Sequence, residues 1–273
     1  MNRYKEISSV QNPLVKKVLV LKEKSRERKK TGEFVLEGLR EFQLAVKGNY
    51  EIKTIFFNEA IIPINQLEKI IDSKKSNIEL IKVSKDVYQK MAYRETTEGI
   101  IALVKSKSHA LSDLKFKNKN PLILVADTTE KPGNLGALLR TADAANLDAV
   151  IIANPKGDIY NPNIIRSSIG CVFTNNIGIG TTEEVLAFLK ERKIAIYCAA
   201  LTASENYTKI DYNNPSAIVV GTEATGLPQE WLENSTQNII IPMEGEIDSM
   251  NVSVSAAILI FEAKRQRGIE GSR

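Results

Sequence analysis

Five short apolar runs in the second half of the chain constrain the fold more than any other feature. They cover residues 122–126, 149–153, 194–200, 217–220 and 238–241, and each is nearly uninterrupted. Strands that are covered by helices on both faces of a parallel sheet have this continuous pattern. Helical patterns separate the runs, at residues 135–146, 164–170, 183–192, 228–232 and 252–267. Residues 121–273 are therefore predicted to form an α/β domain with a parallel sheet.

The first half of the chain predicts a second, smaller α/β domain. Between residues 33 and 104, short apolar runs alternate with helical segments, and residues 12–30 are expected to form one helix ahead of them. A polar, lysine-rich stretch follows. We place the boundaries accordingly, with a basic domain at residues 1–105, a linker at 106–120 and the parallel-sheet domain at 121–273.

Charge divides the chain in the same way. Residues 1–119 carry 25 Lys and Arg against 15 Asp and Glu, whereas residues 120–273 carry 12 against 18. Eight of the cations fall within fifteen residues: Lys16, Lys17, Lys22, Lys24, Arg26, Arg28, Lys29 and Lys30. A solvated surface is the plainer interpretation of scattered lysines, but this clustering favours a polyanionic partner, RNA or DNA.

Several classes of protein are disfavoured by what the sequence contains. No apolar run approaches the roughly 18 residues of a membrane span, and the basic N-terminus has no signal-peptide core, so we expect a cytoplasmic protein. Cys171 and Cys198 stand in apolar surroundings typical of buried thiols. His109 is the only histidine, so we expect neither histidine catalysis nor a metal site. Gly178 and Gly180 are interpreted as loop glycines, because the rest of a dinucleotide fingerprint is missing.

Polar residues follow three of the predicted strands. After the first strand, Asn134 is expected to cap a helix, and Arg140 lies within that helix, where a surface salt bridge is the alternative role. Glu223 follows the buried run at 217–220, with turn chemistry as its alternative. After the last run, Pro242 ends the strand and Ser249 or Asn251 can cap the final helix. Because parallel α/β sheets bind ligands at the carboxyl ends of their strands, these segments form a candidate site.

These three segments read N-x-x-x-x-x-R, G-x-E-x-x-G-L and I-P-M-x-G-x-x-x-S-M-N-V-S-V, and together they resemble the three motifs of the SpoU (TrmH) RNA methyltransferases. The resemblance covers about residues 120–267. It implies transfer of a methyl group from S-adenosylmethionine to a ribose 2′-hydroxyl, a trefoil-knotted catalytic domain and a homodimer. The basic N-terminal part is similar to the ribosomal-protein-L30-like substrate-binding domain that precedes many members.

By motif position, the resemblance also implies the site residues. Arg140, Asn134, Glu223, Ser249 and Asn251 carry over as the catalytic and positioning residues. Leu201, Gly221, Ile241 and Met250 carry over as the cofactor-binding residues, with Met250 in place of the usual leucine.

Ribosomal RNA is the preferred substrate, and tRNA is the closer rival. Two alternatives from other classes remain at this point: a non-catalytic RNA-binding or ribosome-assembly protein on the same fold, and a small-molecule nucleotide enzyme. The first would show broken motifs, whereas all the motif residues are present. The second leaves the lysine-rich half unexplained.

Overall fold

The contacts within the chain divide it into two units. The structure is a computed structural model and describes residues 4–71, 78–93, 98–202, 204–222 and 225–268. The first unit comprises residues 1–107 and 158–174, and the second comprises residues 108–157 and 175–273. This division differs from the sequence-based boundaries, which placed residues 158–174 in the second domain.

The described residues form twelve β-strands and ten α-helices. The strands are β1 (Lys5–Ile7), β2 (Glu33–Glu37), β3 (Ile52–Phe57), β4 (Glu79–Val83), β5 (Ile100–Lys105), β6 (Leu122–Asp127), β7 (Ala149–Ala153), β8 (Ile177–Gly180), β9 (Ala195–Ala199), β10 (Ser204–Asn206), β11 (Ser216–Val220) and β12 (Gln237–Ile240). The helices are α1 (Pro13–Glu23), α2 (Ser25–Thr31), α3 (Leu39–Lys47), α4 (Ile64–Ile70), α5 (Lys85–Met91), α6 (Pro132–Ala144), α7 (Pro162–Ser167), α8 (Thr182–Glu191), α9 (Gln229–Glu233) and α10 (Val252–Gln266).

The first unit has a mixed sheet. Its described strands pair in the order β1-β4-β3-β5-β2, with β4 parallel to β1 and β3, and β5 antiparallel to β2 and β3. This confirms the predicted small α/β domain. The short strand β1 was not predicted, because only one of its three residues is buried and the segment lacks an apolar run.

The basic segment forms two helices rather than the single helix predicted over residues 12–30. Asn12 caps α1 by accepting a hydrogen bond from the amide of Leu14 at 2.9 Å. The chain is then extended at Lys24, with φ −107° and ψ 104°. The break has a physical reason, because the guanidinium of Arg28 donates to the carbonyl of Leu21 at 2.6 Å and so satisfies the end of α1.

Aromatic packing and a buried ion pair place residues 158–174 in the first unit. The ring of Tyr160 stacks on Phe34 with centroids 4.2 Å apart, and Phe173 stacks on the same ring at 5.7 Å. Asp158 accepts from Arg28 Nη2 at 2.7 Å, and the Arg28 side chain is only 4% exposed. These partners are more than 100 residues away in sequence, so a local pattern could not predict them.

The second unit has a parallel sheet, as predicted. Its described strands pair in the order β10-β12-β9-β11-β6-β7-β8, and every pairing is parallel. The central strand β11 is buried throughout and lies between β6 and β9. Among the described helices, none is long and apolar enough to cross a membrane.

The interpretation of Gly178 and Gly180 as loop glycines is wrong, because both lie in β8 at the edge of the sheet. A Cβ at Gly178 would lie 2.7 Å from the side chain of Leu114, and one at Gly180 would lie 2.9 Å from Leu111. The glycines therefore let the chain at 111–114 pack closely on the strand. In addition, the amide of Ile179 donates to the carbonyl of His109 at 2.7 Å. Much of the predicted linker is thus part of the second unit.

Candidate functional site

A pocket of about 450 Å³ lies at the carboxyl ends of β9, β11 and β12. Three chain segments line it, one after each of these strands, and the start of α10 closes one side. Four predicted cofactor-binding residues are among the lining residues: Leu201, Gly221, Ile241 and Met250. Leu201 is 60% exposed. The structure therefore brings together four residues that are spread over fifty positions of sequence.

Gly221 is where the pocket depends most on the absence of a side chain. A Cβ at this position would lie 2.8 Å from the amide nitrogen of Leu227 and closer still to the carbonyl of Gly226. The loop folds back through a bridge in which Thr222 and Gly226 exchange backbone hydrogen bonds at 3.2 and 3.0 Å. Only glycine permits this close backbone approach. The predicted site residue Glu223 lies in the same loop, outside the described residues.

The segment after β12 carries two predicted residues with different local roles. Asn251 is the N-cap of α10, and its side chain accepts from the amide of Ser253 at 3.0 Å. Ser249 lines the pocket and donates to the carboxylate of Asp248 at 3.0 Å. Of the two residues proposed as caps, Asn251 is therefore the one that caps the helix.

Asn134 does not cap α6, and this prediction is wrong. The helix begins at Pro132 with Lys131 as its N-cap, because proline is well suited to the first helical position. Asn134 thus lies in the first turn. There its side-chain oxygen accepts from the side-chain nitrogen of Asn251 at 3.2 Å. This hydrogen bond links the start of α6 to the start of α10, next to the pocket.

Arg140 lies two turns into α6 and is exposed. The buried residues Leu138 and Leu139 hold this part of the helix against the core. In the part of the chain that the structure describes, Arg140 has neither a hydrogen-bond partner nor an ion-pair partner. Among the described residues, the alternative role in a surface salt bridge therefore has no support.

Several residues around the site were missed in the sequence analysis. Thr225, Met243 and Ser255 also line the pocket, and their types carry no specific signal. Asp127 is the last residue of β6 and is fully buried. A single carboxylate after an apolar run carries no specific signal that could have indicated it. Cys198 on β9 is a buried thiol, as predicted, and burial raises its pKa to about 12.

The basic cluster of the first unit is smaller than the sequence indicated. Arg28 is buried against Asp158, and Lys17 pairs with Glu33. Lys22 donates to the carbonyl of Met91, and burial lowers the pKa of its ammonium group. The remaining five cations are exposed and pair with no carboxylate among the residues described: Lys16, Lys24, Arg26, Lys29 and Lys30. Three of the eight cations thus serve the fold.

Among the residues that the structure describes, no three acidic, histidine or cysteine side chains lie close enough together to hold a metal ion.

Comparisons with known proteins match two segments of the chain. Residues 121–261 match the model of the SpoU rRNA methylase family, and residues 12–102 match the model of the MRM3-like substrate binding domain. The chain is 29% identical over 260 residues to RlmP of Bacillus subtilis (strain 168), a 23S rRNA (guanosine(2553)-2′-O)-methyltransferase, covering 95% of this chain and 99% of that protein.

Two solved structures are similar over nearly the whole chain. The crystal structure of an RNA 2′-O ribose methyltransferase is 36% identical with a TM-score of 0.81, and the match covers 96% of this chain and 99% of that one. An AdoMet-bound rRNA methyltransferase from Sinorhizobium meliloti is 26% identical with a TM-score of 0.88, and the match covers 96% and 98%.

Proposed function

The chain belongs to the SpoU rRNA methylase family, and on that premise we propose that it transfers a methyl group from S-adenosylmethionine to a ribose 2′-hydroxyl of 23S ribosomal RNA. The observation that carries this proposal is the pocket after β9, β11 and β12, which collects all four residues assigned to the cofactor by motif position. We assign the first unit to RNA recruitment and the second to catalysis.

The pocket fits this cofactor in size and chemistry. Its volume of about 450 Å³ is in the range of small-molecule sites. Leu201, Ile241 and Met250 offer apolar surface, and the strand ends offer backbone amides and carbonyls. At Gly221 the backbone lies close to the backbone of Gly226 and Leu227, and all three residues line the pocket.

The reaction requires few specialised side chains. Bound S-adenosylmethionine supplies a methyl group on a sulfonium, which is already a strong electrophile, so we expect no metal requirement. The chain must hold the ribose 2′-oxygen in line with that methyl group and assist removal of the hydroxyl proton. We assign orientation of the ribose and its phosphate to Arg140, whose guanidinium fork suits phosphate oxygens. Guanidinium groups hold their protons tightly, so charge stabilisation suits Arg140 better than proton abstraction.

The other four polar residues would maintain the geometry around Arg140. Asn134 and Asn251 join the starts of α6 and α10 through their side chains. Ser249 stands on the pocket wall. Glu223 is assigned to the same set by motif position alone.

RNA recruitment is assigned to the exposed cations of the first unit. Arg26, Lys29 and Lys30 are spaced so that all three share one face of α2, and each is exposed. Arg28, on the opposite face, is buried and anchors the helix through Asp158. Three cations on a rigid face match the phosphates of folded RNA.

We further propose that the protein is a cytoplasmic homodimer whose catalytic unit is trefoil-knotted, as family membership implies. The dimer has support on α10, where Val254 is 48% exposed and Phe261 is 44% exposed, seven residues apart on one face. A second copy of the chain would cover this apolar face. Replacement of Phe261 by glutamate should convert the dimer to a monomer in sedimentation velocity, and a wild-type monomer would refute the assignment.

A labelling experiment tests the function directly. The protein is incubated with methyl-labelled S-adenosylmethionine and, separately, unmodified 23S rRNA and tRNA, and the labelled RNA is hydrolysed with alkali. Label in an alkali-resistant dinucleotide from rRNA is the expected result, because 2′-O-methylation blocks cleavage there. Label in tRNA alone would overturn the rRNA assignment, and label in ordinary mononucleotides would overturn the ribose mechanism. If neither RNA takes up label, a partly assembled ribosomal particle is the next substrate to test.

A further inference from the structure

Asp127, which carries none of the proposed roles, stands in an unusual environment at the end of β6. Its side chain is fully buried, and among the described residues the three side chains that donate to its carboxylate are all neutral. Thr128 Oγ1 donates to Oδ2 at 3.0 Å, while Asn154 Nδ2 and Thr182 Oγ1 each donate to Oδ1 at 3.2 Å. Burying a carboxylate costs free energy, so a buried carboxylate with only neutral partners indicates a structural or functional role.

The residues around Asp127 are also strained. Thr128 has φ +49° and Asn154 has φ +47°. The left-handed region is tolerated by asparagine but is a true outlier for a β-branched residue such as threonine. Strain of this kind persists only where the surroundings enforce it, and it concentrates at functional sites. The next residue, Thr129, also lowers the stability of the folded state, because its hydroxyl oxygen is buried without a hydrogen-bond partner in the described structure.

Backbone hydrogen bonds lock the ends of three neighbouring strands beside this turn. The amide of Thr128 donates to the carbonyl of Ala153 at 2.9 Å, and the amide of Asn154 donates to the carbonyl of Gly180 at 2.9 Å. Asp127 thus bonds to side chains that follow β6, β7 and β8. The direction in which the chain leaves β6 is fixed at Thr128.

That direction decides where α6 begins. Pro132 is the first residue of α6, only four residues after Thr128. Asn134 in the first turn accepts from Asn251, and Arg140 follows two turns along the helix. A different conformation at Thr128 would rotate or shift the first turn and separate Asn134 from Asn251.

We propose that Asp127 is a positioning residue for methyl transfer. Its carboxylate holds Thr128 and Asn154 in the left-handed conformation and so fixes the start of α6, which sets where Arg140 stands relative to the acceptor ribose. This inference rests on the proposed function for its kinetic consequence, whereas its structural consequence at α6 does not.

The first test compares Asp127→Asn with Asp127→Ala. A carboxamide keeps the oxygen that Asn154 and Thr182 bond to, and its amide can donate to the Thr128 hydroxyl, which can accept. We therefore expect Asp127→Asn to keep kcat within threefold of wild type. Asp127→Ala should lower kcat at least tenfold while the Kd for S-adenosylmethionine changes less than twofold. If Asp127→Asn is as inactive as Asp127→Ala, the carboxylate acts chemically and the positioning role is overturned.

A second variant keeps the proposal testable if Asp127→Ala does not fold. Thr128→Gly removes the hydroxyl and frees the backbone, and it should lower kcat at least fivefold and speed amide hydrogen exchange at residues 133–136. Lys193→Gly is the matched control, because Lys193 also has a positive φ, +54°, but lies at the end of α8. It should leave kcat and this exchange unchanged.

Amide hydrogen exchange tests the positioning role of Asp127, and turnover of RNA tests the proposed function, so the two proposals can fail separately. Unchanged exchange at residues 133–136 in Thr128→Gly would overturn the positioning role, whatever the RNA assays show. If wild-type protein methylates no RNA, the proposed function fails, and the exchange measurement alone still decides the role of Asp127.

Discussion

The two units present different chemistry to a ligand. The first unit offers exposed cations on a short helix, with Arg26, Lys29 and Lys30 on one face. The pocket of the second unit offers backbone groups and apolar side chains, with Gly221 at its closest backbone approach. Interactions with exposed charges are long-range and screened by salt, whereas pocket contacts are short-range and depend on shape. RNA recruitment and cofactor binding should therefore respond to different mutations and to different conditions.

The largest effect is expected at Arg140, which lies on α6 rather than among the cations of α2, and is not among the described residues that line the pocket. Arg140→Ala should lower turnover by about a hundred- to a thousandfold, the loss typical of one charge-stabilising donor. Cofactor affinity should stay near wild type, because Arg140 is not among the described residues that line the pocket. Single-turnover transfer and calorimetric titration measure the two quantities. Arg192→Ala at the end of α8 is the control and should change neither.

The second prediction concerns Arg28, a buried cation that stabilises the first unit. Arg28→Ala should destabilise the first unit by about 3 kcal/mol, because it leaves the carboxylate of Asp158, whose side chain is only 10% exposed, without its partner. Lys29→Ala, one residue along the same helix, should change stability by less than about 0.5 kcal/mol. Chemical denaturation of both variants checks the difference. Equal stability losses would mean that Arg28 and Lys29 are equivalent surface charges.

The third prediction tests the backbone character of the pocket. Gly221→Ala places a Cβ against the backbone of Gly226 and Leu227, so the loop must shift. Overpacking of this kind costs about 1–3 kcal/mol, and if the shifted loop loses this much binding free energy, the affinity for the cofactor falls by about five- to 150-fold. The control is Gly157→Ala, where the added Cβ would meet no atom within 4 Å. If calorimetry gives both variants the wild-type Kd, the pocket does not depend on this approach.

The parallel sheet could be predicted from sequence because its central strands are continuous apolar runs. The edge strands β8 and β10 were missed because they are short and partly exposed, and β8 contains two glycines. The pocket residues could be assigned only through motif resemblance, since Leu201 or Ile241 taken alone is an ordinary apolar residue. They lie close together because β12, β9 and β11 are neighbouring parallel strands. The sequence predicts that these strands are parallel, but it does not predict which of them are neighbours.

Charged residues were the least predictable part of the molecule. Arg28 belongs to a run of cations that is typical of a solvated surface, yet it is buried because its partner Asp158 lies 130 residues away. Asp127 was not singled out, because one carboxylate after a strand carries no specific signal. In both cases the role depends on long-range partners, which periodicity and spacing do not reveal.

The fourth prediction concerns RNA affinity. Replacing Arg26, Lys29 and Lys30 together by alanine should weaken RNA binding about tenfold and reduce the slope of log K against log salt by about 2, since each phosphate contact contributes about 0.7–0.9. A control triple of Lys5, Lys82 and Lys105 removes the same charge from residues paired with Glu79, Glu59 and Glu51. Equal slopes for both triples would mean that net charge, and not the face of α2, attracts the RNA.

The smallest effect is expected at Met250, where the family pattern has leucine. Met250 lines the pocket, and methionine and leucine are similar in volume, so Met250→Leu should change cofactor affinity less than about threefold. Calorimetric titration of Met250→Leu and of Gly221→Ala then compares, in one pocket, a side-chain replacement with a substitution that forces the backbone to shift. A tenfold loss in Met250→Leu would show that this side chain, and not only the backbone around it, recognises the cofactor.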